Sequence, residues 1–391
     1  MKDVFVVNAL RTPFGSFGGQ LASVPVPDLG AAVLGPLLEQ SGLPGEAISE
    51  VILGQVLQGG SGQAPARQAM RTAGLPDIVH AMTINKVCGS GLKAVMLAAD
   101  AIRLGDAEIS LAGGMESMSG APHALPALRN GQRMGNATLL DLMLHDGLLD
   151  PYSGRHMGDM TEDWIAKHGV SRTDQDEWAA RSYRRAIAAV DSGRFAGEIV
   201  PVVKASRKGE ERVERDEEPF RGDVEMLPKL RTVFRKDGSI TAGNASTIND
   251  GAAALLVASE EAVKQRQLKP LARIVAHSTN SIHPDQFAEA PVGAIERCVA
   301  KSGVALADID LFEINEAFAA VPLVAIRQLR LDPEKVNVNG GACAIGHPIG
   351  ASGARLATTL IHELHARDLR YGLASLCIGG GEAVACLFEK I

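Results

Sequence analysis

The first candidate for chemistry is a cysteine placed before a helix. Cys88 lies in the segment NKVCGSG, residues 85–91, directly ahead of residues with the apolar spacing of a helix. Free amides and the positive dipole end at a helix N-terminus stabilise a thiolate, so we expect a lowered pKa for Cys88. Gly89 and Gly91 allow a tight turn and close substrate approach. Cys88 is thus a candidate nucleophile, the alternative being a small buried hydrophobic residue.

A histidine stands in a second glycine-rich segment, NVNGGACAIGHPIGASGAR, residues 337–355. So many glycines predict a backbone pressed against a ligand or another backbone. His347 could accept the thiol proton of Cys88 if the two parts of the chain face each other. A phosphate-binding loop is disfavoured because no Gly-Lys-Ser/Thr follows. A purely structural histidine is the alternative, and the role of the neighbouring Cys343 stays open.

Two more polar side chains end predicted strands in the second half of the chain. Cys377, in LCIGGGE (376–382), stands where open α/β sheets gather their ligands, and a second thiol there could move a proton to or from carbon. Asn315, in EINEAF (313–318), carries an amide suited to orient a water or a substrate oxygen. The alternative for Asn315 is a turn or helix cap.

Composition limits these hypotheses. The 391 residues predict two or three packed units, and 39 basic against 46 acidic side chains give a charge of -7, which disfavours a general DNA- or RNA-binding surface. The five cysteines show no CxxC spacing, which indicates reduced thiols in a cytoplasmic protein, with Cys298 and Cys386 in core positions. We expect no signal peptide and no membrane span, because the longest apolar segment, 252–258, is far below the roughly 20 residues required.

The elements that must position these side chains form a unit that occurs twice. Each half has a strand, an apolar-striped helix and a strand, followed by a small-residue turn, a helix and another strand. One offset brings Ser41 onto Ser302 and Ile48 onto Ile309. We predict two α/β halves with parallel strands, facing each other about a pseudo-twofold axis. The predicted elements include residues 4–7, 28–40, 50–56 and 108–112, matched by 273–276, 291–302, 310–314 and 372–377.

The halves differ by one long segment. In the second half, glycines 379–381 run directly into the last strand, 382–388. In the first half, glycines 113–114 are separated by more than a hundred residues from the matching strand, 252–258. The intervening segment therefore predicts an insertion into the first half.

We expect the insertion to form a surface lobe. The stretch 204–237 is dense in alternating charge, and Ser171 with Asp174 forms a capping-box helix start. The expected domains are residues 1–118 plus 249–268, the inserted residues 119–248, and residues 269–391.

Six segments together resemble the thiolase family, in particular its short-chain acetyl-CoA acetyltransferase members. The segments are RTP (11–13), NKVCGSG (85–91), AGGMES (112–117), NEAF (315–318), GHPIGASG (346–353) and CIGGG (377–381). The resemblance covers essentially the whole chain. It implies a thiolase-like α/β fold, in which two duplicated halves form a layered α-β-α-β-α core with an inserted loop domain.

The resemblance implies a two-step Claisen condensation or its reverse. Cys88, deprotonated by His347, takes the acetyl group of one acetyl-CoA, and Cys377 removes a proton from the methyl group of a second. Acetoacetyl-CoA and CoA are the products. One oxyanion hole would use His347 and a water held by Asn315, and the other the backbone amides of Cys88 and Gly379. No metal and no cofactor beyond these CoA thioesters is implied.

The resemblance also implies a coenzyme A site against the loop domain and a homodimer or homotetramer. Arg221 would supply positive charge near the nucleotide, the alternative being one more solvated charge. The implied coenzyme A contacts are Leu148, His156, Met157, Arg221, Phe234, Ser246 and Phe318.

Two departures from the family pattern bear on specificity. Thr161-Glu162-Asp163 stands where similar enzymes have Ala-Glu-Asn, and Phe287-Ala-Glu-Ala-Pro291 where they have Met-Gly-x-Gly-Pro. The second lies near the expected acyl pocket, and Phe287 could reshape it.

Alternative functions stay open at this point. One is a degradative 3-ketoacyl-CoA thiolase of broader chain length. Another, of a different class, is a non-catalytic acyl-CoA-binding protein with this fold, although both thiols and the histidine are present. A metal or redox protein built on the cysteines is disfavoured because their spacing matches no ligand motif.

Overall fold

The structure, a computed structural model, describes residues 2–206 and 209–391. Its strands are β1 (Val4–Arg11), β2 (Gly15–Ser16), β3 (Glu50–Gly54), β4 (His80–Ile84), β5 (Ile109–Ser117), β6 (His123–Ala124), β7 (Leu140–Asp141), β8 (Val202–Ser206), β9 (Gly209–Val213), β10 (Asn249–Ser259), β11 (Ala272–Ser281), β12 (Leu311–Ile314), β13 (Tyr371–Ile378) and β14 (Glu382–Lys390). Its α-helices are α1 (Val26–Ser41), α2 (Pro65–Thr72), α3 (Ser90–Leu104), α4 (Met157–His168), α5 (Arg172–Asp191), α6 (Glu260–Gln265), α7 (Ala290–Ser302), α8 (Ala320–Leu329), α9 (Ala342–Ile345) and α10 (Ser352–Ala366). Every element predicted for the repeat is present.

The long strands form one mixed sheet with an internal symmetry. The strand order is β12-β13-β14-β11-β1-β10-β5-β3-β4, and β2 pairs with β10. Read outward from the junction of β11 and β1, the two sides match: β14 corresponds to β10, β13 to β5, and β12 to β3. The junction itself is short, pairing Phe5 with Arg273 and Val6 with Ala272. The predicted pair of α/β halves about a pseudo-twofold axis is therefore confirmed.

The prediction that the strands run parallel is only partly right. β3 is parallel to β4 and β5, and β12 is parallel to β13. β10 and β14, by contrast, are antiparallel to both of their neighbours. The turn at residues 379–381 explains this in the second half, because it is too short for the crossover that a parallel neighbour requires. Gly380 and Gly381 in that turn have φ of +89° and +87°, which favours glycine.

The helices complete five layers. α3 and α10 pack against each other between the strands of the two halves, α1 and α2 cover the outer face of the first half, and α7 covers that of the second. This arrangement confirms the layered α-β-α-β-α core. The middle layer is aliphatic, and its helices bury Leu92, Val95, Met96, Ala99, Ile102, Leu356, Leu360 and Leu364.

Local sequence explains where several helices begin and end. α5 begins at the predicted capping box, in which the Ser171 side chain accepts from the Asp174 amide and the Asp174 carboxylate accepts from the Ser171 amide, both at 3.0 Å. α1 and α7 end at Gly42 and Gly303, which have left-handed φ values of +67° and +72°. The offset that brings Ser41 onto Ser302 also aligns these two glycines, which follow those serines in the sequence.

The segment between β5 and β10 carries its own elements: the antiparallel strand pairs β6–β7 and β8–β9, and the helices α4 and α5. Of the charged stretch 204–237, residues 207 and 208 lie outside the described part of the chain. Across residues 2–206 and 209–391, the longest apolar helices are still too short or too polar to traverse a lipid bilayer.

Candidate active site

A cavity of about 640 Å³ brings together residues from both halves and from the inserted segment. All of the predicted site residues line it except Asn315, which is buried beside His347. The predicted residues on the cavity wall are Cys88, Leu148, His156, Met157, Arg221, Phe234, Ser246, Phe318, His347, Cys377 and Gly379.

Cys88 lies in a strained turn just before α3. The preceding residue, Val87, has φ of +46°, which is rare for a β-branched side chain and marks a conformation that the surrounding structure must hold. The hydroxyl of Ser90 holds it, because it donates to the Val87 carbonyl at 2.7 Å and accepts from the Lys86 amide at 2.8 Å. Lys86 also forms an ion pair with Glu382 of the second half. Sequence analysis did not predict this strain.

The expected lowering of the Cys88 pKa is wrong. Burial raises the pKa of the thiol to about 11, although the backbone amides of Gly379 and Cys88 donate toward the sulfur and act in the opposite direction. The helix N-terminus is present as predicted, but desolvation outweighs it. The thiol is therefore the resting form, and its reaction as a nucleophile requires a nearby base.

His347 is buried and held in one orientation. Its amide donates to Asn249 at 2.9 Å, and its ring Nδ1 lies 2.5 Å from the hydroxyl of Ser352. Because that hydroxyl donates to the Pro348 carbonyl at 2.9 Å, we assign the proton to Nδ1, which leaves the Nε2 lone pair free. Burial, and then the charge of Arg355, lowers the pKa of His347 to about 3. The neutral imidazole can accept a proton.

Asn315 lies beside the imidazole. Its amide nitrogen is 3.4 Å from Nε2 and 3.5 Å from Nδ1 of His347, so it points directly at neither ring nitrogen. Its amide oxygen is buried and has no hydrogen-bond partner within residues 2–206 and 209–391. That oxygen is available to a water or substrate group next to the histidine.

Cys377 is the penultimate residue of β13 and is almost fully buried. Burial raises the pKa of this thiol far above its usual value, and the nearby Cys88 sulfur adds to the effect. The same turn provides the Gly379 amide that donates toward Cys88. One strand end of the second half thus presents a thiol and an amide to the nucleophile of the first half.

A buried carboxyl near Cys88 was missed by sequence analysis. Glu116 accepts hydrogen bonds from the amides of Val56 at 3.0 Å, Leu57 at 3.1 Å and Gly350 at 2.9 Å. It therefore ties the loop of His347 to strand ends of the first half. Its signal was an acidic residue at the end of a buried strand, in AGGMES, to which no role was assigned.

Glu316 is a second missed carboxylate. It accepts from Trp178 at 2.9 Å, from Ser182 at 2.7 Å and from the Cys343 amide at 3.1 Å. Trp178 and Ser182 belong to α5 of the inserted segment. Glu316 thus anchors the residue before it, Asn315, to that segment.

The inserted segment forms an aromatic wall of the cavity. The rings of His156 and Phe234 stack with centroids 4.7 Å apart and an interplanar angle of 29°. Phe234 meets Phe318 edge to face at 6.3 Å. Ser246 donates its amide to the Ala317 carbonyl at 3.0 Å, which joins the segment to the loop before α8.

Arg221 lies exposed at the edge of the cavity, and none of the ion pairs formed by the described residues engages it. Within residues 2–206 and 209–391, the His, Cys, Asp and Glu side chains form no group of three or more that could hold a metal ion. The arrangement offers two thiols, one neutral imidazole and directed amides, which is the chemistry of acyl transfer.

Known proteins with a similar sequence and fold are consistent with that chemistry. Residues 4–261 match the family model "Thiolase, N-terminal domain" and residues 268–390 match "Thiolase, C-terminal domain". The chain is 54% identical to an acetyl-CoA acetyltransferase of Pseudomonas aeruginosa and 52% identical to one of Cupriavidus necator, each over the full length of both chains. The crystal structure of the acetyl-CoA acetyltransferase of Bacillus anthracis, 43% identical, superposes with a TM-score of 0.98 over 100% of this chain and 99% of that one. The protein described here is a member of the thiolase family.

Proposed function

We propose that the protein is an acetyl-CoA C-acetyltransferase that condenses two acetyl-CoA to acetoacetyl-CoA and CoA, and catalyses the reverse thiolysis. The observation that carries the proposal is the meeting of Cys88, Cys377 and His347 in one cavity. The names of the relatives support it. A neutral thiol and a neutral imidazole are the resting partners, as their opposite pKa shifts indicate.

The first step is acylation of Cys88. Its sulfur attacks the carbonyl carbon of acetyl-CoA while its proton passes to Nε2 of His347. The thioester oxygen becomes negative and needs donors already in position. The carbon–sulfur bond to CoA then breaks, and the CoA sulfur takes the proton of Cys377. The products are acetyl-Cys88, free CoA, an imidazolium and a Cys377 thiolate, whose opposite charges stabilise each other.

The second step forms the carbon–carbon bond. The Cys377 thiolate removes a proton from the methyl group of a second acetyl-CoA, and the resulting carbanion attacks the acetyl carbon on Cys88. Cys88 leaves as a thiolate and recovers its proton from His347. We assign one oxyanion hole to His347 with a water held by Asn315, and the other to the amides of Cys88 and Gly379.

The shape of the cavity supports a short acyl group. Phe287 lines the same cavity as both thiols and is only 3% exposed, so its ring occupies space that a long acyl chain would need. Phe287 packs in the same apolar cluster as Cys377 and Phe318. These contacts favour acetoacetyl-CoA over longer 3-ketoacyl-CoA esters.

Coenzyme A would lie along the wall formed by the inserted segment, with Arg221 available to its phosphates. The contacts that we assign to it are Leu148, His156, Met157, Arg221, Phe234, Ser246 and Phe318. We further propose that the chain assembles as a homodimer or homotetramer.

The two thiol roles can be separated by experiment. Incubation with acetyl-CoA should add one acetyl group to the wild type at Cys88. Cys88→Ala should remove this adduct and lower acyl transfer by more than about a thousandfold, because the attacking atom is lost. Cys377→Ala should still be acetylated but should not condense. Mass spectrometry of the intact protein and its peptides, with a condensation assay, measures both.

Cys298→Ala is the matched control, because this buried thiol packs inside α7 away from the cavity. Its acetylation and condensation should equal those of the wild type. Acetylation at another residue, or condensation by Cys377→Ala at the wild-type rate, would refute the assignment.

A further inference from the structure

Four charged side chains form a closed network beside the cavity. Arg155 donates to Asp159 at 2.6 Å and to Asp163 at 2.8 Å. Arg235 donates to the same two carboxylates, each at 2.5 Å. Both guanidinium groups also donate to the Asp159 carbonyl, at 2.9 and 3.0 Å. We call these four residues the charge ring.

The charge ring joins two segments that are distant in sequence. Asp159 and Asp163 lie one turn apart on α4, where two negative charges would repel each other without the arginines between them. Arg235 comes from a loop more than sixty residues later. The Asp163 carboxylate is held in its ionised form, because hydrogen bonds from Arg235 and Arg155 lower its pKa to about 2.

Each arginine immediately adjoins a residue of the cavity wall. Arg155 precedes His156, and Arg235 follows Phe234, so the ring holds the backbone of both stacked aromatic residues. The fit is close, because a Cβ on Gly158 would lie 2.1 Å from the Phe234 ring. The Nδ1 of His156 accepts from the Gly158 amide at 3.0 Å, which fixes the imidazole at the start of α4.

We propose that the charge ring is a set of positioning residues that holds the coenzyme A wall in place before the ligand binds. Asp163 closes the ring, because its carboxylate accepts hydrogen bonds from both arginines. The inference rests on the proposed function, since it assumes that the substrate arm lies against His156 and Phe234. An amide at position 163 would accept from one arginine but would not offer the negative charge that holds both.

The energetics favour an effect on binding over an effect on chemistry. All four side chains of the ring are partly exposed, so any one of their ion pairs contributes little to stability, but a connected set fixes the two segments together. A wall that is already in place does not have to be ordered when the ligand arrives, which improves affinity. The side chains of Cys88, Cys377 and His347 are not members of the ring.

The test is Asp163→Asn, which keeps the shape and removes one charge. We expect the KM for acetyl-CoA to rise roughly threefold to tenfold, with kcat within about twofold of the wild type. Arg235→Lys should raise the KM to a similar extent, because an ammonium group cannot hold two carboxylates as a guanidinium does. Acetylation of Cys88 by S-acetyl-mercaptoethanol, which lacks the pantetheine arm, should not change.

Glu334→Gln is the matched control, since Glu334 also lies between two arginines, Arg181 at 3.0 Å and Arg185 at 2.7 Å, but not at the cavity. Its KM should equal that of the wild type. An unchanged KM in Asp163→Asn with wild-type acetylation of Cys88, even if the thermal midpoint falls, would overturn this inference alone. Failure of acetyl-CoA to acetylate the wild type at Cys88 would instead overturn the proposed function.

Discussion

At the scale of single residues, burial decides the charge of the groups around the nucleophile. Glu116 accepts three backbone hydrogen bonds, which favour its charged form, yet burial raises its pKa to about 7. The same competition raises the pKa of Cys88, where burial outweighs the hydrogen bonds to the sulfur. At His347 burial and the positive charge of Arg355 act in the same direction and lower the pKa. The neutral forms of all three groups are therefore favoured.

The shift at Glu116 predicts a pH-dependent stability. The folded protein holds the Glu116 proton to higher pH than the unfolded chain, whose pKa is near the usual 4.5. The corresponding stabilisation is complete below about pH 4.5 and is lost as the pH rises through about 7, for a total of about 3 kcal/mol. Relative to Glu116→Gln, the unfolding free energy of the wild type should therefore fall over this range. Urea unfolding at several pH values measures it.

The exposed Glu177→Gln is the control for that experiment and should follow the pH dependence of the wild type. If Glu116→Gln keeps the wild-type slope between pH 4.5 and 8, Glu116 does not titrate as described.

At the scale of elements, the helices α3 and α10, which correspond to each other in the repeat, contact each other through a glycine on each helix. A Cβ on Gly91 of α3 would lie 2.8 Å from the Ala354 amide and 3.0 Å from the Gly350 carbonyl. A Cβ on Gly353 of α10 would lie 2.5 Å from the Leu92 amide. Backbone therefore contacts backbone at this crossing. α3 starts just after Cys88 and α10 five residues after His347, so the crossing sets the separation of the two catalytic candidates.

Gly353→Ala should force these helices apart. We expect a loss of about 1 to 3 kcal/mol in unfolding free energy, because the contacted atoms are backbone and cannot rotate away. We also expect a lower kcat, since the base would move relative to the thiol. Denaturant unfolding and steady-state kinetics check both.

Gly197→Ala provides the comparison. The nearest atoms to its Cβ, on His362, would be 3.6 Å away, and its φ is not left-handed. It should leave kcat unchanged and should not reduce stability. Equal behaviour of the two variants would show that the helix crossing tolerates a methyl group.

At the scale of the whole molecule, buried charges connect the inserted segment to both halves. Arg11, at the end of β1, is fully buried and donates to Glu198 at 2.5 Å and to Asp216 at 2.7 and 2.8 Å. Glu316 makes the corresponding connection from the second half to α5. The boundaries expected from sequence, with residues 119–248 as the insertion, stay a prediction, and we propose that these two anchors hold that lobe.

Removal of the Arg11 anchor should lower the unfolding free energy strongly. Arg11→Met would leave two buried carboxylates without their partner, and we expect a loss of about 3 to 5 kcal/mol in unfolding free energy. Arg184→Met is the comparison, because the ion pair of Arg184 with Glu225, at 3.2 Å, is largely exposed and should contribute less than about 1 kcal/mol. Urea unfolding at constant pH measures both, and similar losses would argue against the anchor.

The sequence by itself was sufficient to predict the arrangement of the molecule in two halves with an insertion, and to identify its reactive side chains. The repeat, its interruption and the glycine-rich segments are local patterns, since they depend on spacing along the chain and on the conformations that glycine permits. These patterns predicted two α/β halves with an insertion in the first, and the resemblance to the thiolase family implied the five layers. The patterns also identified Cys88, His347 and Cys377, which the structure brings to one cavity.

Only the tertiary structure decided how those groups behave. The Cys88 pKa has the opposite direction to the prediction, because it depends on how much water the folded chain excludes and not on the helix start alone. Strand direction in β10 and β14, and the roles of Glu116 and Glu316, depend on partners far away in sequence. Desolvation and long-range pairing arise only when distant segments pack together, and no local pattern reports them.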